Sequence, residues 1–365
     1  MNDAPKRGAP GQSPHLVDTS RCTHLLYECP IENSSSALSL RARLLGVAQR
    51  LGFPESRREA MALVVMEMAS NQLKYAQGRG TVQIWEQPGP FLDIFALDYG
   101  PGIHDLALAS EDGYSSSETL GKGLGSIRRL SDELQVYTRT QQPDTPRKWT
   151  GTALLARFWP TARRPQPWPR GIGVGLYSRS LADDRHNGDI IYLRTSDEGL
   201  RWLHLDGLGH GREARDTTAR LDYNVLMRRS VRELIEATDR YLVGSRGAVG
   251  IAADARPALG EYRLSGIGDM YAQVYDARPQ ETQWLFFPSG VLGKEHKQAV
   301  EIQGRLARDN LLITASDGIR RNWDEQSLPG LFRLDPQLIA YVIGSIMGRM
   351  SDDQSLCVVR AEGAG

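Results

Sequence analysis

Residues 163–171 read Arg-Arg-Pro-Gln-Pro-Trp-Pro-Arg-Gly. Proline at alternate positions fixes φ three times and removes three backbone donors, so neither a helix nor a central strand can cross this window. The chain must therefore fold on either side of it. At 365 residues it is also too long for one ordinary core. The reading is a tail and first strand over 1–35, a domain over 36–160, a linker over 161–171 and a second domain over 172–361. Both domains then fall in the usual size range.

A hydrophobic content of 40% with 24% charged residues is globular, not disordered. Forty-four Lys and Arg balance forty-four Asp and Glu. That neutrality argues against nucleic acid or an anionic membrane as the main partner. Cys22, Cys29 and Cys357 are too few for a disulfide scaffold, and no second Cys or His pair completes a zinc pattern. They are read as reduced thiols. The N-terminus has no apolar segment of the signal-peptide kind, and the longest apolar stretches, such as 338–347, are too short to span a bilayer. The expectation is a soluble, cytoplasmic protein.

The first twenty residues, rich in Pro, Gly and Ser, are expected to be irregular. Spacing of apolar residues predicts helices over 36–51 and 56–77, the second with Ser56 and Glu59 in capping-box positions. A hairpin is predicted from 81–86 and 91–97, a glycine-rich loop over 113–125, a helix over 126–134, and strands over 134–139 and 151–158. The second part is strand-rich, with strands over 172–178, 188–194, 200–205, 248–254, 260–265, 271–276, 283–287, 311–315 and 355–360. Helices are predicted over 211–242, 294–308 and 335–350. The fold class expected is α+β.

In the second helix Glu67 stands inside a nearly continuous apolar run, with Asn71 and Lys74 one and two turns on. A buried carboxylate needs a partner, a ligand or a solvated pocket. A carboxylate, an amide oxygen and a cation on one face suit a metal-bound phosphate, although a polar stripe on a domain surface has the same pattern. Asp98-Tyr99-Gly100-Pro101-Gly102 follows an apolar strand, where an Asp can accept from a purine amino group and glycines allow close approach. Gly121-Lys122-Gly123-Leu124-Gly125 leads into a helix whose N-terminal N–H groups favour phosphate. Either glycine motif alone is more often a simple turn. No βαβ unit surrounds them, which disfavours a dinucleotide loop.

The order of these elements, closed by Gly151-Thr152 on a strand, resembles the GHKL (Bergerat-fold) ATPases. The stretches 112–115 and 123–133 are similar to their anti-sigma-factor serine kinase branch, the RsbT-like kinases. The resemblance spans 36–158 and implies an α/β sandwich that binds ATP with Mg²⁺. It implies that Asn71 holds the Mg²⁺ and Glu67 acts as catalytic base. Asp98 would take the adenine amino group, with Thr152 behind the adenine. Gly100, Gly102, Gly121, Gly123 and Gly125 would shape the pocket and its lid.

In the second part Asp189 opens a strand, Asp206 ends one and begins Asp206-Gly207-Leu208-Gly209-His210-Gly211, Asp317 ends another, and Asp352-Asp353 precedes the last. Any single Asp-Gly is a common turn. Carboxylates converging from several strand ends are the donors that hard cations take, so Mg²⁺ or Mn²⁺ fits better than Zn²⁺. This order resembles the PPM (type 2C-like) protein phosphatases, near the RsbX/SpoIIE-like branch, over 172–361. It implies a PPM-type αββα four-layer sandwich and two Mn²⁺ or Mg²⁺ about 4 Å apart that activate a water. Asp206 would bridge them, Asp189 and the Gly207 carbonyl would complete one site, and Asp317 and Asp352 would hold the other ion. The resemblance assigns His210 no proton transfer. The polar approach to Asp189, residues 183–187, departs from the family's pattern.

Together the resemblances imply a protein serine kinase fused to a phosphoserine/phosphothreonine phosphatase. Both would act on STAS-domain proteins (RsbS/RsbR-like) in a stressosome-type partner switch, with a downstream switch protein as further partner. The alternative is a phosphatase whose GHKL domain only binds a partner. A histidine kinase is disfavoured because no helix bearing a phosphoacceptor His precedes residue 36. Nothing in the sequence sets the oligomeric state.

Overall fold

The structure, a computed structural model, describes residues 15–18, 24–89, 91–109, 123–141, 148–161, 164–181, 186–196 and 198–362. Strand β1 (His15–Asp18) and β2 (His24–Pro30) precede helices α1 (Ser34–Arg50) and α2 (Glu55–Tyr75). Next come β3 (Gly80–Gln87), β4 (Phe91–Asp98), the short α3 (Leu106–Ala109), α4 (Gly123–Leu130), β5 (Glu133–Arg139) and β6 (Gly151–Phe158). Beyond the proline-rich window lie β7 (Ile172–Arg179), β8 (Asp189–Ser196), β9 (Gly199–Gly207), α5 (Arg212–Thr218), α6 (Tyr223–Leu226) and α7 (Val231–Leu242). The chain closes with β10 (Ala248–Arg256), β11 (Glu261–Ile267), β12 (Tyr271–Asp276), β13 (Glu281–Phe286), β14 (Val300–Arg305), β15 (Leu311–Ala315), α8 (Pro336–Met347) and β16 (Gln354–Ala361).

The N-terminal sandwich is an antiparallel sheet in the order β2-β3-β4-β6-β5 with α1, α2 and α4 on one face. Alternation along the strands decides which residue meets which layer. Leu92, Ile94, Ala96, Leu154 and Ala156 pack against the helices. Phe95, Leu97, Ala153 and Leu155 point the other way. That second face is not left to solvent: α8 lies on it, with the Phe95 and Tyr341 rings stacked at 4.0 Å. Both faces of β4 and β6 are therefore buried, which is why neither strand shows a polar-out pattern.

The C-terminal sandwich has two antiparallel sheets, β13-β12-β15-β16-β7 and β1-β8-β9-β10-β11-β14. Ile172, Leu193, Trp202, Ile251, Leu312 and Val359 belong to the core between them. Helices α6 and α7 cover the outer face of the six-stranded sheet, and α8 covers the outer face of the other. The result is αββα in four layers, and α8 is shared with the N-terminal sandwich. The fold class is α+β.

Across the shared layer Arg157 donates to both oxygens of Asp93, at 2.8 and 3.1 Å, and reaches Glu133 at 3.0 Å and Asp335, the N-cap of α8, at 3.4 Å. Asp93 is 0% exposed, so its carboxylate is enclosed and depends on Arg157 for its charge partner. Arg179 adds a bridge to Glu28 at 2.9 Å.

Several expectations need correction. Residues 15–18 are not irregular but form an edge strand paired with β8. The predicted helix over 294–308 is absent. Its apolar residues recur at a helix-like spacing, yet Val300 to Arg305 pair with β11 as a sheet edge, so tertiary pairing overrides the local pattern. The predicted helix over 211–242 is three helices, α5 to α7. Helix α2 is preceded by Pro54 with no side-chain cap, and the reciprocal capping box belongs to Asn33 and Ser36 of α1. Helix α4 begins at Gly123 and not at 126. Cys29 and Cys357 are free, the latter buried. Among the described residues no helix is long and apolar enough to cross a membrane.

Candidate functional sites

The first site forms where α2, the end of β4 and the start of α4 meet. Glu67 and Asn71 are half-buried neighbours on α2. A methyl group on Gly123 would lie 3.2 Å from the Asn71 amide atoms and 3.4 Å from Glu67 Oε2. Glycine at the first residue of α4 thus lets the helix N-terminus stand over this pair. Gln72 ties the same helix to the sheet, its Nε2 donating to Thr81 O at 3.1 Å and Leu97 O at 3.2 Å. Those bonds set the distance from Asn71 to the strand end that carries Asp98.

Asp98 Oδ1 accepts from the N–H of Gly100 at 2.8 Å and of Thr152 at 3.2 Å. Burial raises its carboxyl above the usual range, and the two N–H groups oppose that. Thr152 and Thr138 hydroxyls are 3.3 Å apart. Gly102 has φ +77°, and a Cβ there would fall 2.3 Å from Arg139 O. Only glycine fits this crossing of chains. Gly125 is buried in α4. Lys74 is exposed on the last turn of α2 and makes no hydrogen bond among the described residues. Gly121 and the stretch 112–115 lie outside the described residues.

The second site is built on strand ends of both C-terminal sheets. Asp189 and Asp206 are directly opposite partners across β8 and β9. Asp317 follows β15 and Asp352 precedes the adjacent β16. Burial raises Asp206 well above the carboxylate range, and Asp189, Asp317, Asp352 and Asp269 push it further. Asp317 is raised by burial and then by Asp352 and Asp269, against Arg349 and Arg321. Burial lifts Asp189 to about 7, although the Ser355 and Ser316 hydroxyls favour its ionised form. Asp189 Oδ2 accepts from Ser355 Oγ at 2.6 Å, while its buried Oδ1 has no partner.

Mutually repelling carboxylates with an orphaned buried oxygen suit a hard divalent cation in donor type. Among the described residues no group of three or more His, Cys, Asp or Glu is placed as a finished metal site. Gly207 ends β9, with its N–H donating to Gly188 O at 3.2 Å. His210 is exposed.

Three residues given no role in the sequence emerge here. Asp269, two residues beyond the end of β11, adds a fifth carboxyl to the group. Asp353 is buried and spends both oxygens on the loop before β8, accepting from Leu181 N–H and Gly188 N–H at 2.7 Å each. It delivers Asp189 rather than joining it. His204, two residues before Asp206, is fully buried and hydrogen-bonded to Thr314 and Ser355. Alternation places residue 204 on the same face of β9 as Asp206, a signal the sequence did carry. Residues 182–185 of the polar approach to Asp189 lie outside the described residues.

Residues 32–148 match the histidine kinase-like ATPase domain family. The serine/threonine-protein kinase RsbT of Bacillus subtilis (strain 168) is 39% identical over 100 residues, which are 26% of this chain and 74% of that protein. The chain belongs to the histidine kinase-like ATPase family. Its RsbT-like part is the N-terminal sandwich. Among solved structures, RsbX in complex with magnesium has a TM-score of 0.47 at 18% identity, covering 52% of this chain and 96% of that one. The PP2C phosphatase domain of SpoIIE from Bacillus subtilis, with a fragment of its regulatory domain, has a TM-score of 0.43 at 14% identity, covering 89% and 93%. The architecture of the C-terminal sandwich rests on its own sheet order and layers.

Proposed function

We propose that the chain is a bifunctional signalling enzyme. Residues 36–160 would be an ATP-dependent protein serine kinase and residues 172–361 a metal-dependent phosphoserine/phosphothreonine phosphatase. The observation that carries the phosphatase reading is the facing pair Asp189 and Asp206 with Asp317 and Asp352 on neighbouring strand ends. The RsbT relative and the Glu67, Asn71 and Gly123 contact support the kinase reading.

In the first site Asn71 Oδ1 would hold Mg²⁺ against the ATP phosphates. Glu67 would accept the proton of the attacking serine hydroxyl, a step worth about 10²–10⁴-fold. Asp98 would accept from the adenine amino group beside Thr152, and Gly100, Gly102, Gly123 and Gly125 would let the backbone approach. Lys74 stands outside this arrangement. In the second site Asp206 would bridge two Mn²⁺ or Mg²⁺, with Asp189 and Gly207 O on one and Asp317 and Asp352 on the other. When bound, such ions supply a nucleophilic water and charge neutralisation at the phosphoryl group. The proposed substrates are STAS-domain proteins, as in the partner switching to which RsbT-like kinases belong.

The test is a time course with γ-labelled ATP, Mg²⁺, Mn²⁺ and STAS proteins encoded beside the gene, with Asp206→Asn in parallel. Label that accumulates with Asp206→Asn but stays low or decays with the unaltered protein is the expected result. No label with either, while pre-phosphorylated STAS protein still loses phosphate, would leave a phosphatase carrying a nucleotide-dependent binding module.

A further inference from the structure

A chain of buried hydrogen bonds runs through the space between the two C-terminal sheets. Trp202 Nε1 lies 3.0 Å from Thr314 Oγ1, which lies 3.0 Å from His204 Nδ1. On the other side of the ring, His204 Nε2 is 2.7 Å from Ser355 Oγ, and Ser355 Oγ is 2.6 Å from Asp189 Oδ2. Trp202 and His204 belong to β9, Thr314 to β15 and Ser355 to β16, so both sheets contribute. Trp202, His204, Thr314 and Ser355 are each 1% exposed or less.

With Asp189 ionised, as a bound cation would require, donor counting fixes the direction of every bond. The indole N–H only donates, so Thr314 Oγ1 accepts from Trp202. At the far end, an ionised Asp189 only accepts, so the single Ser355 hydroxyl proton goes to Asp189. Ser355 Oγ must then accept from His204, which places the imidazole proton on Nε2. His204 Nδ1 is left to accept the Thr314 hydroxyl proton. All four donors point toward Asp189 and end on its Oδ2, while the nearby Ser316 hydroxyl also favours the ionised carboxyl. The other oxygen, Oδ1, is buried without a partner.

We infer that His204 and Ser355 are positioning residues that hold Asp189 by Oδ2 and so present Oδ1 to the divalent cation. The inference rests on the phosphatase reading of the C-terminal site. His204 touches no substrate and acts through Ser355. Outer partners that orient a metal-binding side chain are typically worth about 10–100-fold in metal affinity. A purely structural His204 would instead stitch the sheets together and change stability alone.

The experiment measures Mn²⁺ affinity of the full chain by electron paramagnetic resonance, with folding checked by circular dichroism. Ser355→Ala and His204→Leu are each expected to weaken binding by about 10–100-fold. His204→Gln, which keeps one donor and one acceptor, is expected to restore most of the loss. The double variant should be no weaker than Ser355→Ala alone. Nitrogen NMR of histidine-labelled protein with Mg²⁺ should show the proton of His204 on Nε2. A proton on Nδ1, or folded Ser355→Ala and His204→Leu proteins that bind Mn²⁺ as the unaltered chain does, would overturn the inference. If His204→Leu does not fold, Ser355→Ala and the NMR signature decide. The unaltered chain failing to bind Mn²⁺ at all is a different outcome: it removes the phosphatase reading, and this inference with it.

Discussion

The two candidate sites are assembled in different ways. In the N-terminal sandwich Glu67 and Asn71 share one helix face, and backbone geometry at Gly123 and Gly102 supplies the rest. In the C-terminal sandwich no element carries more than one of Asp189, Asp206, Asp317 and Asp352. They come from strand ends of two different sheets, Asp189 and Asp206 facing across β8 and β9 and Asp317 and Asp352 flanking β15 and β16. A helix face tolerates change elsewhere in the fold, since its own hydrogen bonds fix the spacing of i and i+4. A site of converging strand ends depends on everything that sets how the sheets lie. The first site is local and the second global, and perturbations far from each should separate them.

The largest effects are expected from crossing the two chemistries. Glu67→Gln should lower transfer of label to a STAS protein by about 10²–10⁴-fold while leaving dephosphorylation intact. Asp206→Asn should do the reverse, and radiolabel assays on both variants check it. Loss of both activities in either variant would mean that the sites are not independent. Next, Arg157→Leu leaves the Asp93 carboxyl enclosed without its partner, which should cost about 3–5 kcal/mol in thermal or urea unfolding. If only the global site depends on sheet placement, Mn²⁺ affinity should suffer in this variant more than ATP affinity.

Gly102→Ala is a smaller perturbation, aimed at the local site. A non-glycine residue at φ +77° with its Cβ 2.3 Å from Arg139 O should cost about 1–3 kcal/mol, read as weaker ATP binding by titration calorimetry. The smallest effect is expected at Lys74, exposed on α2. Lys74→Ala should change stability and ATP binding by no more than about 0.5 kcal/mol. A large loss of ATP affinity there would bring Lys74 into the phosphate site.

The difference between the sites also explains what could be read from the sequence. Helix-borne residues are visible as an anomaly, a carboxylate within the apolar run around Glu67. The strands of both sandwiches are mostly legible from apolar runs between turns, as for β4, β12 and β15. The helix predicted over 294–308 fails because pairing with β11, more than thirty residues earlier, decides its state. The strand at 15–18 is hidden for the same reason: its partner β8 lies far along the chain. Asp353 is only the sequence neighbour of Asp352 until the bonds to Leu181 and Gly188 show its task. The apolar character of α8 was plain, but not that it serves two sandwiches at once.

That shared helix has a consequence for how such a chain can be regulated and inherited. With Phe95 and Tyr341 stacked across it and Arg157 bonded on both sides, the proline-rich window is a covalent formality. Nicking it should leave a complex of two fragments that migrate together. A cell making this chain therefore fixes the dosage of the two halves at one to one. Neither half can be lost, duplicated or tuned in abundance without refacing the other.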